Sequence, residues 1–406
     1  MQTTLLAGRG FGGHIEELGA IAIRSRTAKS GAMTDPFVPH RADLAGLQAH
    51  ARFRSLRPRE GVDFASNDYL GIAGSARLKD AIAAAMARGV PVGSGGSRLL
   101  RGNQAEHEAL EEDAARFFGC EATLYFSTGY AANSALLATL PQRGDCIVYD
   151  RLVHASCHEG MRLSRADRAV AEHNDVQSFA DAMARWRTKG GKGRVWIAVE
   201  SLYSMDGDQA PLAELAELAD RRDAVLLVDE AHATGVFGAK GRGLAAGLEG
   251  RENVITLRTC GKALGTEGAL LCGPAVVRDY LVNRARGFIF STAPSPLMAA
   301  VTRESLRICA DEPQRRERLF ALIVQAEAAL APLGVGATGS QIIPVILGDD
   351  ARTMAVAGAL QEAGFDVRGI RPPTVPQGTS RLRVSLNLNA TAQDVSALAD
   401  CLTGLL

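Results

Sequence analysis

An aspartate, a histidine and a lysine stand where a pattern of short strands could bring them into one site. The apolar run Val225–Val228 ends in Asp229, and His232 follows three residues later. The segment Thr259-Cys-Gly-Lys262-Ala-Leu-Gly comes after the next apolar run and surrounds its lysine with glycines and small side chains. A lysine that forms a Schiff base and a carboxylate that keeps a pyridine nitrogen protonated are what pyridoxal 5′-phosphate requires.

Each of these residues also has a simpler interpretation. An acid at a strand end often only caps the next helix, and a lone lysine is usually a solvated surface charge. A surface lysine rarely has such small neighbours, because they offer no acid for pairing and leave room for a flat ligand. The pair taken together therefore favours a cofactor site.

A third segment could bind a phosphate. Ser127-Thr-Gly129-Tyr130-Ala-Ala-Asn follows the apolar run that starts at Thr123. Backbone N–H groups and hydroxyls at a helix N-terminus are a natural phosphate site, and Tyr130 could flank a ring. A strand-to-helix turn without a ligand would look the same in isolation.

Other motifs are weak. Gly8–Gly13 satisfies G-x-G-x-x-G, but no second strand ending in an acid follows, so we expect no dinucleotide site there. His107-Glu108 and His158-Glu159 lack the second histidine of a zinc motif, and we expect no metal site.

Composition excludes several classes of function. The 406 residues contain 45 basic and 45 acidic side chains, so no overall charge attracts nucleic acid or an anionic membrane. The longest apolar runs fall short of a membrane span, and the seven cysteines lack C-x-x-C spacing. We expect a cytoplasmic protein without a disulfide framework.

Short apolar runs alternate with amphipathic helices from Gly61 onward, which predicts an α/β fold with a mainly parallel sheet. The predicted strands are Thr123–Ser127, Cys146–Asp150, Val195–Glu200, Ala224–Asp229, Asn253–Leu257 and Ala269–Cys272. After Pro296 a long helical stretch to Leu330 and later strands predict a smaller α+β domain. The expected divisions are a flexible extension (1–33), an N-terminal segment (34–62), a large cofactor-binding domain (63–300) and a small C-terminal domain (301–406).

Six segments in order resemble the α-oxoamine synthases, which are fold-type I, aspartate aminotransferase-like pyridoxal phosphate enzymes. They are Phe64–Gly71, Gly93–Asn103, Asp150–Ser156, Ser204–Asp208, Asp229–His232 and Thr259–Lys262. The resemblance runs from about Arg54 to the C-terminus. Ile370–Pro376 and Gly378–Arg383 look most like the members that act in biotin synthesis.

The resemblance implies a role for each matching residue. Lys262 would form the Schiff base and move the substrate's α-proton, Asp229 would pair with the pyridinium nitrogen, and His154 would stack on the ring. His232 and Ser204 would bond the ring's phenolate oxygen. Gly129, Tyr130 and Thr259 would also contact the cofactor. Ser291 and Thr292 would contact the phosphate of a partner subunit's cofactor. The expected substrate contacts are Arg54, Asn67, His154, Thr374 and Arg383. The match at Arg54 follows a gap, and a solvated charge is the alternative there.

The implied enzyme is a homodimer, with its active site between subunits, that condenses L-alanine with a pimeloyl thioester and releases carbon dioxide. The residues leave open whether coenzyme A or a carrier protein holds the acyl group. A sister synthase using glycine or serine is the main alternative. A cofactor-sensing regulator would need a basic DNA-binding module, which the sequence lacks. Glu267 and Tyr130 depart from the family pattern, and Glu267 leaves the electrostatics near Lys262 open.

Overall fold

The computed structural model describes residues 35–406. The chain divides into two compact units, Met1–Ala49 and His50–Leu406. In the first unit the described residues include helix α1, Val38–Ala49. The predicted extension (1–33) lies outside the described residues, and the expected boundaries at residues 62 and 300 stay predictions.

The second unit alternates strands with helices, as the sequence predicts. Its strands are β1 (Val62–Asp63), β2 (Ala122–Phe126), β3 (Cys146–Asp150), β4 (Asp167–Ala171), β5 (Val195–Glu200), β6 (Val225–Asp229), β7 (Val254–Thr259), β8 (Ala269–Gly273), β9 (Ile342–Gly348), β10 (Phe365–Asp366), β11 (Arg368–Ile370) and β12 (Ser380–Ser385). Its helices are α2 (Ala76–Ala87), α3 (Ala105–Phe118), α4 (Gly129–Thr139), α5 (Ala155–Leu163), α6 (Val176–Thr188), α7 (Leu212–Arg221), α8 (Ala275–Arg284), α9 (Arg286–Ile289), α10 (Pro296–Asp311), α11 (Pro313–Leu330), α12 (Asp350–Glu362) and α13 (Ala392–Leu405).

A seven-stranded sheet organises the larger part of this unit. Its strand order is β2-β8-β7-β6-β5-β3-β4, and β8 runs antiparallel to both of its neighbours while the other pairs are parallel. The α/β fold with a mainly parallel sheet is therefore confirmed. Because the carboxyl ends of parallel strands meet at one edge, the residues that follow β3, β5, β6 and β7 come together there.

Both faces of this sheet are covered, which explains the apolar runs. Leu227 packs with the α4 side chains Ala132 and Leu136 on one face. Val228, its neighbour along the strand, packs in a different cluster with Leu215 of α7. Successive strand residues point to opposite faces, so Asp229 lies on the same face as Leu227, beneath α4.

The C-terminal part contains a three-stranded antiparallel sheet of order β11-β12-β9, and β1 pairs in parallel with β10. The prediction of a single helical stretch up to Leu330 is wrong in one respect. It is two helices, because Glu312 has φ −115° and ψ 63° and Pro313 starts α11. A residue before proline is displaced from the helical region, so the break follows from the sequence. No helix among residues 35–406 has the length and apolar character to span a bilayer.

Candidate active site

The sequence-predicted lysine, aspartate and histidines line one cavity at the carboxyl edge of the large sheet. The cavity has a volume of about 150 Å³. Its walls are Gly129, Tyr130, Asn133, His154, Ser156, Glu200, Asp229, Ala231, His232, Leu257, Thr259 and Lys262. Residues from β5, β6, β7, α4 and α5 thus meet there, although they are far apart in the sequence.

Asp229 is buried at the end of β6 and is held by two donors. Its Oδ2 accepts a hydrogen bond from Asn133 Nδ2 at 2.7 Å, and its Oδ1 accepts one from the Ala231 backbone N–H at 2.9 Å. Asn133 Nδ2 also donates to the Ser156 hydroxyl at 3.0 Å. These bonds fix the carboxylate beneath α4.

Lys262 Nζ lies 2.6 Å from His232 Nε2, and His232 Nδ1 lies 2.6 Å from the Tyr69 hydroxyl oxygen. Tyr69 donates its single hydroxyl hydrogen to Asn67 Oδ1 at 2.9 Å. The tyrosine oxygen must therefore accept from Nδ1–H, which leaves Nε2 to accept from the lysine. The neutral His232 imidazole, held by Tyr69, therefore orients the Lys262 amine.

Burial controls the protonation of this pair. Burial lowers the pKa of His232 well below its usual range, and the charges of Lys262 and Arg383 act in the same direction. Burial likewise lowers the pKa of Lys262 to about 8, although Asp229 and Glu200 oppose the shift. An amine with such a pKa is partly unprotonated near neutrality and can act as a nucleophile or accept a proton.

The predicted phosphate segment forms the N-terminus of α4. Thr128 caps this helix and accepts a hydrogen bond from the Ala131 backbone N–H at 3.0 Å. Gly129 lies against Thr259, since a Cβ atom added to the glycine would be 3.6 Å from the threonine hydroxyl. Helix N–H groups and a hydroxyl therefore face the same end of the cavity, an arrangement that binds phosphate.

His154 caps α5 and stands at the rim of the cavity. Its Nδ1 lies 2.8 Å from the Ser156 hydroxyl, and its ring is edge-on to Tyr130 with centroids 6.4 Å apart. The His154 side chain is exposed to solvent. It can therefore contact a flat molecule that enters the cavity.

The predicted substrate residues form a second group beside the first. Arg383 is buried, and it donates to the Ser204 carbonyl at 2.6 Å and to Asn67 Oδ1 at 3.2 Å. Arg54 donates to the Thr374 hydroxyl at 3.0 Å. Arg54, Thr374, Ser204 and His154 all line a neighbouring cavity of about 560 Å³. His154 lines both cavities and so connects them.

Three residues predicted to contact a cofactor do not line the cavity of about 150 Å³, and Glu267 does not line it either. One of the three, Ser204, lines the neighbouring cavity. Ser291 and Thr292 are exposed and line a small recess with Arg98 and Ser127 instead. The Glu267 side chain is exposed, while its backbone carbonyl accepts a hydrogen bond from Tyr125 at 2.9 Å.

Sequence reasoning assigned no role to several residues that complete the cavity. Asn133 stands four positions after Gly129 on one helix face, so helical spacing could have identified it. Glu200 ends a predicted strand, as Asp229 does, and the same strand-end argument applies to it. Tyr69 carries no such signal, because only the tertiary fold brings it to His232.

A model of the aminotransferase class I and II family matches residues 59–402. The chain belongs to this family. It is 44% identical over 381 residues to the 8-amino-7-oxononanoate synthase of Anaeromyxobacter dehalogenans (strain 2CP-1), covering 90% of this chain and 94% of the relative.

Solved structures have the same fold. A serine palmitoyltransferase from S. paucimobilis with a bound PLP–myriocin aldimine has a TM-score of 0.82 at 25% identity, covering 91% of this chain and 97% of that one. The 8-amino-7-oxononanoate synthase of Francisella tularensis has a TM-score of 0.71 at 26% identity, covering 85% of this chain and 97% of that one. These matches confirm the fold-type I assignment and the family resemblance.

Proposed function

We propose that this protein condenses L-alanine with a pimeloyl thioester to give 8-amino-7-oxononanoate, carbon dioxide and a free thiol, as a step of biotin biosynthesis. The observation that carries the proposal is the meeting of Lys262, Asp229 and His232 around one buried cavity. The choice among related reactions is supported by relatives named 8-amino-7-oxononanoate synthase at 41 to 44% identity.

The cofactor is pyridoxal 5′-phosphate, and the donor set of the cavity fits it. A buried amine, a buried carboxylate and a helix N-terminus with a threonine hydroxyl match its aldehyde, its ring nitrogen and its phosphate. Lys262, Asp229, Gly129, Tyr130 and Thr259 would hold these groups. When bound, the cofactor draws electrons away from the bond that breaks at the amino acid's α-carbon.

The chain's own groups would position and move protons. Asp229 would pair with the ring nitrogen, and the hydrogen bond from Asn133 Nδ2 holds its side chain in place. Lys262 Nζ takes the α-proton of alanine, since its lowered pKa lets it do so near neutrality. His154 would cover the open face of the ring and exclude water from it. Ser204 would bond the ring oxygen, and His232 would do so in the tautomer that carries its hydrogen on Nε2.

Substrate contacts would come from the second group of residues. Arg383 and Asn67 bind carboxylate or carbonyl oxygens of the substrates, because a guanidinium forms paired hydrogen bonds to such groups. Arg54 and Thr374, which line the larger of the two cavities, would contact the acyl substrate.

The active assembly would be a homodimer in the cytoplasm. The exposure of Ser291 and Thr292 supports a contribution of these hydroxyls to a partner's site. All seven cysteines are free thiols, which agrees with a reducing compartment.

The reaction is tested by incubating purified protein with pimeloyl-CoA and each of L-alanine, glycine and L-serine, and following thiol release and the mass of the amino ketone. We expect L-alanine to be preferred. Lys262→Ala should abolish turnover, while Lys79→Ala, an exposed lysine on α2, should not change it. Preference for glycine or L-serine over L-alanine would instead support a sister synthase.

A further inference from the structure

Glu200 is a second acid of the cavity and has no part in the mechanism above. It ends β5 as Asp229 ends β6, and the two residues are paired in register. Parallel neighbours in register point to the same face, so both carboxyl groups lie beneath α4. Glu200 is only 2% exposed and lines the cavity.

The two oxygens of Glu200 are in different situations. Oε2 accepts a hydrogen bond from the Ser204 backbone N–H at 3.1 Å, whereas Oε1 has no hydrogen-bond partner among the described residues. A buried carboxylate with one oxygen unsatisfied is far more costly than a buried carboxylic acid. The geometry therefore favours a proton on Oε1.

Neighbouring charges favour the same state. Titratable groups whose charges interact with that of Glu200 include Asp150, Asp229, Lys262, Tyr69, Tyr203 and Cys157. His154 and His232 line the same cavity. Burial, followed by the charge of Asp229, raises the pKa of Glu200 to about 8, although Lys262 opposes the shift.

We propose that Glu200 is a positioning residue that stays protonated and neutral during the reaction. Asp229 is then the carboxylate of the cavity that takes part in the reaction. The effect of Glu200 reaches the reaction through Lys262. A second anion beside the amine would hold a proton on it, because Glu200, when charged, raises the pKa of Lys262. The neutral acid leaves the amine free to react, a consequence that rests on the proposed function.

The protonation state is testable without substrate on the purified, cofactor-loaded full-length protein. Unfolding is measured for the wild type and for Glu200→Gln between about pH 5 and pH 8. An acid that holds its proton more firmly in the folded state loses stability as pH rises through this window. We therefore expect the wild type to lose stability relative to the variant by up to about tenfold in the unfolding equilibrium constant per pH unit.

A spectroscopic readout tests the charge of Glu200 independently of stability. Glutamine mimics the neutral acid, so the pH midpoint of the bound cofactor's visible absorption should be unchanged near neutrality in Glu200→Gln. Glu214→Gln, an exposed acid on α7, should have no effect on either measurement. A flat or rising stability difference, or an absorption midpoint moved by about one pH unit or more, overturns the proposal.

If Glu200→Gln does not fold, the infrared spectrum of the wild type decides the question. The pKa of the buried Glu230 is also raised, so the band of a protonated carboxyl group supports the proposal only if a Glu230→Gln variant keeps it at neutral pH. The absence of any such band in the wild type overturns the proposal. Failure of the condensation assay alone would affect the proposed function and not this assignment, because these measurements require no turnover.

Discussion

At the scale of single residues, Asp229 offers a test of charge without a change of shape. Asn133 Nδ2 and the Ala231 N–H donate to its two oxygens. An asparagine in its place would keep the side chain's size and remove its charge, and its NH2 group would face one of these two donors. Removing one strong electrostatic stabiliser from an active site costs about 10²- to 10³-fold in rate.

We expect Asp229→Asn to lower kcat for alanine by about that factor while alanine binding changes much less. The binding constant comes from the cofactor's absorbance and kcat from thiol release. Asp223→Asn is the matched control, because Asp223 is exposed. Near-normal turnover of Asp229→Asn would show that the cofactor ring is not held by this residue.

His173 lies between two carboxylates outside the cavity. Its Nδ1 is 3.0 Å from Asp150 Oδ1 and its Nε2 is 2.7 Å from Asp208 Oδ2. Burial acts to lower the pKa of His173, but the hydrogen bonds to Asp150 and Asp208 raise it to about 10. The imidazolium therefore joins the end of β3 to the segment that carries Ser204.

We expect His173→Gln to reduce the free energy of unfolding by about 2–4 kcal/mol at neutral pH. The folded-state pKa exceeds the unfolded value of about 6.5, so the stabilisation is complete below that value and is lost as pH rises through the folded-state pKa. Denaturant titration from neutral to alkaline pH checks this, with His40→Gln as the exposed control. A loss that is independent of pH would refute the charge-based explanation.

At the scale of elements, one glycine joins the Ser204 segment to the three-stranded sheet. Gly207 has φ +73°, and a Cβ atom there would lie 2.1 Å from the Ile342 carbonyl oxygen. Both the backbone conformation and the lack of space exclude a larger residue.

Gly207→Ala should therefore lower the free energy of unfolding by more than about 2 kcal/mol and weaken cofactor retention, because Ser204 would move. Gly334→Ala is the matched control: it has φ +76° but no atom within 4 Å of the added Cβ. It should show only the backbone penalty of about 1 kcal/mol. Equal effects of the two substitutions would mean that the close contact is unimportant.

Sequence periodicity predicts most of the elements that build the site. The buried strands of the large sheet form within two residues of their predicted bounds, because each is a continuous apolar run covered on both faces. The edge strand β4 was missed, since four of its five residues are not buried and it therefore lacks such a run.

The residues of the candidate site also fall into those that a local sequence pattern predicts and those that it does not. Asp229, His232 and Lys262 were predicted because strand ends and glycines mark them. The contact of Tyr69 with His232 joins residues that are distant in the sequence, and no local pattern reports it.

At the scale of the whole molecule, the role proposed for Ser291 and Thr292 in a partner subunit's site predicts shared active sites. If these hydroxyls serve a partner's cofactor, Thr292→Ala and Lys262→Ala chains should complement each other. A mixed dimer would contain one site with both Lys262 and Thr292 intact.

The weakly active Thr292→Ala protein is unfolded and refolded together with the inactive Lys262→Ala protein. We expect the turnover per chain that carries Lys262 to rise. Mixing with Lys262→Ala/Thr292→Ala protein is the control and should give no gain. An absence of gain with the single variant, despite mixed dimers detected by mass spectrometry, would place these residues outside the partner's site.

Arg383 is linked electrostatically to Lys262, because its positive charge acts to lower the pKa of that amine. Its guanidinium already contacts Asn67 and the Ser204 carbonyl, and Asn67 accepts the hydroxyl hydrogen of Tyr69, which in turn contacts His232. A carboxylate that binds Arg383 would compete for hydrogen bonds in this chain, which ends at Lys262. By reciprocity, the protonation of Lys262 must alter the affinity for that carboxylate by the same factor as the carboxylate alters the protonation. Substrate binding at Arg383 would therefore change the protonation of Lys262 without direct contact between the substrate and the amine.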